Sequence, residues 1–456
     1  MRRAFFILFF CSIFVLTGCE KKEISASPEK LEIWSVGEKT FLQAIGVEFG
    51  AEIKNTKLQI TDTEFPDEES LESAVTNAMA EKKGPDIIFI DGDFIHTNPL
   101  KFSPLTENSQ LLIPQWQKEF VPLVTEDLIL NGSLYGVPLE INTLSMIFNT
   151  EYLRNAGINP QNIQTWKNVA ESSLRLTQKD NSIEQFSVSG VALGIGKNIS
   201  RSPEIIENIL FQTVGNLFSE DKNEAIFSHK QEIIASQSEK IYPGLLGIQF
   251  FSQFANPSSS YFSWNDLLTQ NKKNKDFDTF AEGKTSIIFG LPEDILKLKK
   301  IIADKKKLGL SSIPEQNIGV FLLPHFEDKK NPNVIGEIKA LGVLSSSKNT
   351  DLAWQFLKFI GKKENLRAYA QYEKKTSANL DILLEQESDP LLGPFARQAK
   401  FAQSLDLPIS KTKWRSLLSN FLMNITPSDP VSMRTQLDAF ETQCTDVRKN
   451  EKIINQ

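Results

Sequence analysis

Residues 67–90 constrain the fold more than any other stretch of the chain. Asp67 has the chemistry of a helix cap, and Glu68 and Glu69 follow where the positive end of a helix dipole favours acids. Leu71, Val75, Ala78 and Met79 recur at helical spacing on one face. Lys82 and Lys83 suit the negative end, Gly84 reads as the left-handed residue that closes the helix, and Pro85 blocks its continuation. The wholly apolar run Ile87-Ile88-Phe89-Ile90 comes next. A short run with no polar face belongs inside a sheet covered on both sides, as parallel sheets are. Upstream, 31–36 alternates as a strand, 41–49 has helical spacing and 58–60 begins a second strand. Strand, helix, strand, helix, strand is an α/β order.

The pattern recurs downstream. Gly136-Val137-Pro138 reads as a turn and 144–149 as a strand, while 286–289 and 318–324 read as buried strands. Ala353, Phe356, Leu357 and Ile360 share one face of a helix that Gly361 ends, and 399–447 reads as mostly helical. There is no internal repeat. A chain of 456 residues has room for two or three domains. Its net charge of −7 argues against nucleic acid as a partner. The lysine-rich stretches 272–275 and 297–307 read as solvated helix faces and loop tips.

The motifs of common chemistries are missing. His96, His229 and His325 are far apart, without metal-ligand spacing, so no metal and no cofactor is expected. Gly283-Lys284-Thr285 ends like a phosphate loop, but Asp278 stands where its first glycine belongs. Gly194-Ile195-Gly196 lacks the third glycine of a dinucleotide turn. Asp91 and Asp93 lie just beyond the apolar strand, at the end where open α/β sheets bind ligands. Three roles are open to them: an acid–base pair for glycoside cleavage, hydrogen-bond acceptors for a solute, or a cap for the next helix.

Arg2 and Arg3 precede an almost wholly apolar stretch, 4–15, that is shorter than the roughly 20 residues of a membrane-spanning helix. It suits the core of a cleaved signal peptide, 1–18. Leu16-Thr17-Gly18-Cys19 then resembles the lipobox of bacterial lipoproteins. The resemblance implies lipidation of Cys19, with acyl chains such as palmitate holding the chain to a membrane, and cleavage before that residue. Residues 19–30 read as a polar tether. Cys11 would be removed and Cys19 modified, which leaves Cys444 alone and allows no internal disulfide.

Several segments together resemble the extracellular solute-binding proteins of ABC sugar importers, of which maltodextrin-binding protein is one. They are 81–90 (EKKGPDIIFI), 135–153 (YGVPLEINTLSMIFNTEYL) with Thr165-Trp166 after it, 280–290 (FAEGKTSIIFG) and 342–360. The resemblance implies a two-lobed periplasmic-binding-protein fold of type II, with a ligand cleft between α/β lobes and three hinge crossings. Lobe one would hold 30–138 and 340–384, and lobe two 142–335 and 391–456. The crossings would fall near 139–141, 335–339 and 385–390. It also implies a small solute, a sugar first of all, as ligand, ABC permease subunits as partners, and a monomer. Residue by residue, it places Glu38, Lys39, Asp93 and Asn142 in the pocket, with Asn142 where maltodextrin binders carry a Glu. Trp414 falls where an aromatic stacks on a sugar face, although core packing explains a tryptophan there equally well. Asn198 and Arg201 belong to a loop that can reach the cleft. Ile90 and Glu293 stand where maltodextrin binders place stacking tryptophans, which argues against a long maltodextrin. Lys39, Arg201, Asp93 and Glu293 could serve a smaller or charged solute. Two other readings compete: a lipid-anchored glycosidase using Asp91, Asp93 or Glu293, and a binding fold turned to sensing or adhesion.

Overall fold

The structure, a computed structural model, describes residues 30–454 except 38–39, 56, 106–108, 181–184, 233–239 and 327–332. Two five-stranded sheets organise it. In chain order the strands are β1 (Lys30–Val36), β2 (Gln59–Phe65), β3 (Ile87–Asp91), β4 (Val137–Thr143), β5 (Ser145–Asn149), β6 (Gln178–Lys179), β7 (Phe186–Val191), β8 (Thr285–Gly290), β9 (Ile318–Phe321) and β10 (Gly336–Val343). The first sheet runs β2-β1-β3-β10-β4 and the second β9-β5-β8-β7-β6. The chain passes from the first sheet to the second at Leu144, between β4 and β5, and returns between β9 and β10.

The unit at 67–90 forms as its chemistry requires. Asp67 accepts the backbone N–H of Ser70 at 2.8 Å and caps the helix Glu68–Ala80, whose Leu71 and Val75 are buried. One detail differs from expectation. The left-handed residue after the helix is Lys82, at φ 54°, while Gly84 takes φ 140°. β3 is buried at every residue, between parallel β1 and antiparallel β10. β8 is equally buried, but β9 is the edge of its sheet and only alternate residues are covered. Val137 and Pro138, expected in a turn, begin β4 instead. β4 is an edge strand, where proline removes no needed ladder bond, and a bulge opposite Lys339 and Ala340 absorbs the irregularity. The helix Thr350–Ile360 buries Ala353, Phe356, Leu357 and Ile360. Downstream of 399 the helices are Lys411–Asn424 and Pro430–Ile454, with irregular chain before them.

The second sheet packs so closely on its helices that one strand position excludes any side chain. A Cβ on Gly190 of β7 would lie 2.3 Å from the carbonyl oxygen of Ser173, in the helix Trp166–Leu176. Gly190→Ala is expected to lower stability by about 1–3 kcal/mol, the usual cost of overpacking, read from urea unfolding. An unchanged midpoint would mean the sheet and helix separate more easily than this packing implies.

Candidate functional site

In both sheets the parallel strands point their carboxyl ends toward one another. β1, β2, β3 and β4 end at Val36, Phe65, Asp91 and Thr143; β7 and β8 lead into the helices Ser202–Val214 and Pro292–Lys307. Between these ends lies a cavity of about 440 Å³, within the range of roughly 300–1,000 Å³ typical of small-molecule sites. The first sheet contributes Val36, Phe89, Glu140, Asn142, Glu337 and Lys339, with Glu68 from the capped helix. The opposite wall brings Arg201, Leu291, Glu293 and Arg415.

Ion pairs organise these walls. Arg201 reaches Asp294 through Nε and Nη2, at 2.7 and 2.9 Å, Glu293 at 2.8 Å and Glu204 at 3.1 Å. Asp294 in turn accepts the backbone N–H of Leu291 at 2.9 Å, which fixes the start of its helix. Lys375 pairs with Glu140 of β4 at 3.3 Å and with Glu293 at 2.8 Å. Because the helix Lys363–Glu373 packs on β4, this lysine ties one half of the molecule to the other. Glu337 of β10 makes a similar tie to Lys411, at 2.8 Å, and to Arg415, which also holds Glu207 at 3.1 Å. Lys339 pairs with Glu68 and, at 2.7 Å, with Asp91.

Burial alone would raise the Glu293 pKa, but Lys375 and Arg201 together hold it at about 2. A carboxyl held ionised in this way is the opposite of a proton donor for glycoside cleavage. Asn142 differs from its neighbours. It is 2 % exposed, and its Oδ1 accepts no hydrogen bond among the described residues. A buried acceptor left bare is costly, and this one lies on the cavity wall.

The expected site residues divide into groups. Arg201, Glu293 and Asn142 line the cavity. Cys19, Glu38 and Lys39 lie outside the described residues. Asp91 and Asp93 sit behind the cavity, beside Asp127 around a much smaller void, so Asp91 acts on the site through Lys339. Asn198 is not a cleft residue. It is buried in the second half, where Nδ2 donates to Asp266 at 3.0 Å and Oδ1 accepts from Trp264 at 2.7 Å. Trp414 is 0 % exposed; its Nε1 donates to Glu207 at 3.0 Å and its ring packs on Phe227 and Phe440. It belongs to the core and offers no platform to a sugar. Sequence reasoning missed Glu68, Glu140, Glu337, Lys339, Lys375 and Arg415. The one available signal was Glu140, a charge inside the apolar run 137–141.

The acids behind the cavity respond to pH. Burial, and then the charge of Asp93, push Asp127 up to about 8. Its folded value exceeds its ordinary 3.8, so the folded chain binds the extra proton and stability falls as pH rises from about 4 to about 8. Asp127→Asn removes that penalty. It is expected to raise the melting temperature over wild type more at pH 8 than at pH 5; an equal difference at both would contradict the assignment.

The arrangement is that of a two-lobed periplasmic-binding-protein fold with a polar cleft. Residues 34–366 match the family described as bacterial extracellular solute-binding protein, and the chain belongs to that family. The arabinooligosaccharide-binding protein of Bacillus subtilis (strain 168) is 23% identical over 174 residues, 36% of this chain and 39% of that protein. The maltotriose-binding protein of Pyrococcus abyssi is 23% identical over 300 residues, 65% of this chain and 54% of that protein. The chain thus spans about half or less of the curated relatives it matches. The structure of the sugar-binding protein MalE from Xanthomonas citri superposes with a TM-score of 0.72 at 13% identity, covering 93% of this chain and 98% of that one. Among the described residues no helix is long and apolar enough to cross a membrane.

Proposed function

We propose that the chain captures a small sugar in the 440 Å³ cavity and delivers it to the membrane subunits of an ABC importer. The observation that carries this reading is the bare, buried Asn142 acceptor in a cavity walled by both halves of the molecule. A solute that touches both walls favours the closed form by its differential affinity for it. The lobes are 30–138 with 340–384 and 142–335 with 391–456, and the chain acts as a monomer. Lipid on Cys19 keeps it beside its permease at high effective concentration, with Glu38 and Lys39 as additional pocket candidates. Relatives named for arabinooligosaccharides and maltotriose support a sugar as the solute.

A thermal-shift screen of the chain from Ser25 onward, against sugars, polyols and amino compounds, tests this. A ligand at 100 times its dissociation constant adds about 2.7 kcal/mol and raises the melting temperature visibly. A panel that stabilises nothing would refute the reading.

A further inference from the structure

The cavity's ionic balance bears on which solutes it accepts. Every described cation on its walls is already shared. Arg201 serves three carboxylates, Lys375 two and Lys339 two, and Arg415 is bonded to Glu207 and Glu337. Among the described residues lining the cavity, four cations, Arg201, Lys339, Lys375 and Arg415, stand among five acids, Asp67, Glu68, Glu140, Glu293 and Glu337. An anionic solute would have to displace a carboxylate from each cation it sought. A cationic solute would instead add a partner where carboxylates are in excess. The Glu293 side chain, 41% exposed, is the most accessible of the acids whose pairing is described on the cavity wall. The bare Asn142 acceptor, independently, asks for a donor from the ligand. No solvent-facing aromatic platform lines the cavity among the described residues; Phe89 is nearly covered.

We infer that the solute is a sugar-sized polyol bearing a protonated amine, and that the cleft discriminates against sugars carrying a carboxylate or phosphate. The inference rests on the solute-binding reading above and deepens it. Titration calorimetry of the full chain in mild detergent at pH 7 tests it. The probes are hexoses of the gluco, galacto and manno series, each with its 2-amino-2-deoxy analogue and its uronate. In a series that binds, the amine is expected at least tenfold tighter than the neutral sugar, and the uronate at least tenfold weaker. Glu293→Gln is expected to shrink the amine-to-neutral preference at least tenfold. Glu68→Gln, at the other wall, is expected to shrink it too and serves if the first variant unfolds. Neutral sugars or uronates binding as tightly as amines, or a preference unmoved in a folded variant, overturns the inference while the solute-binding reading stands. Absence of binding by every amine also overturns it. The broader reading falls only if neutral sugars and oligosaccharides likewise leave the chain unstabilised.

Discussion

Trp414→Ala is expected to cost about 3–5 kcal/mol of stability, as large-to-small changes of buried tryptophans do. The side chain is wholly buried between Phe218, Phe227 and Phe440. Its removal leaves a cavity in the second half and takes the indole donor from Glu207. Trp414→Phe keeps most of the packing and loses the donor alone. Arg415 still satisfies Glu207, so that variant should cost no more than about 1–3 kcal/mol. Urea unfolding followed by circular dichroism measures both. Sugar affinity of the folded Trp414→Phe protein should match wild type. Lost affinity with little loss of stability would return the tryptophan to the role of a stacking platform.

Arg201→Ala is expected to be equally severe, at about 3–5 kcal/mol, because removing one partner of a buried ionic group leaves uncompensated charge. Asp294 and Glu204 are buried and lose the guanidinium; Glu293 keeps only Lys375. The deficit has a pH signature. In wild type the Glu293 value of about 2 lies below its ordinary 4.5, so its contribution is present above that ordinary value and is lost as pH falls toward 2. In the variant the stranded acids shift the other way. Protonation then relieves the folded state, and the gap to wild type should be narrower at pH 4.5 than at pH 8. A gap of constant size would mean the three carboxylates are not what Arg201 stabilises.

Of the two roles open to Trp414, burial selects the core; Arg201 lines the cavity and also holds three carboxylates. Local chemistry was legible. The Asp67 cap, the run 87–90 and the face Ala353, Phe356, Leu357 and Ile360 each depend on neighbours a few residues away, and all formed as expected. Pro138 misled because a proline next to a glycine signals a turn, whereas an edge strand tolerates it. Lys82 rather than Gly84 takes the left-handed position after the helix, although a side chain there costs about 1–2 kcal/mol. The two-lobed fold was legible as well, through the order of the family-like segments. The charged site was mostly not. Lys375 lies 82 positions from Glu293 and Arg415 lies 208 from Glu207, so nothing local marks either as a partner. Trp414 sits on a helix whose buried face is set by Phe227 and Phe440, distant in sequence, and periodicity alone could not decide between core and cleft.

Capture of a sugar around Asn142 is tested by titrating Asn142→Leu with whichever sugar most stabilises the wild-type chain. Replacing a bare buried amide with an apolar group of similar size should leave the urea midpoint at or above the wild-type value. The same change removes a hydrogen-bond partner from the ligand and should weaken binding by about 1–3 kcal/mol, roughly 5- to 150-fold. An affinity equal to wild type in a folded Asn142→Leu protein would contradict the claim, because the solute would then bind somewhere other than this cavity.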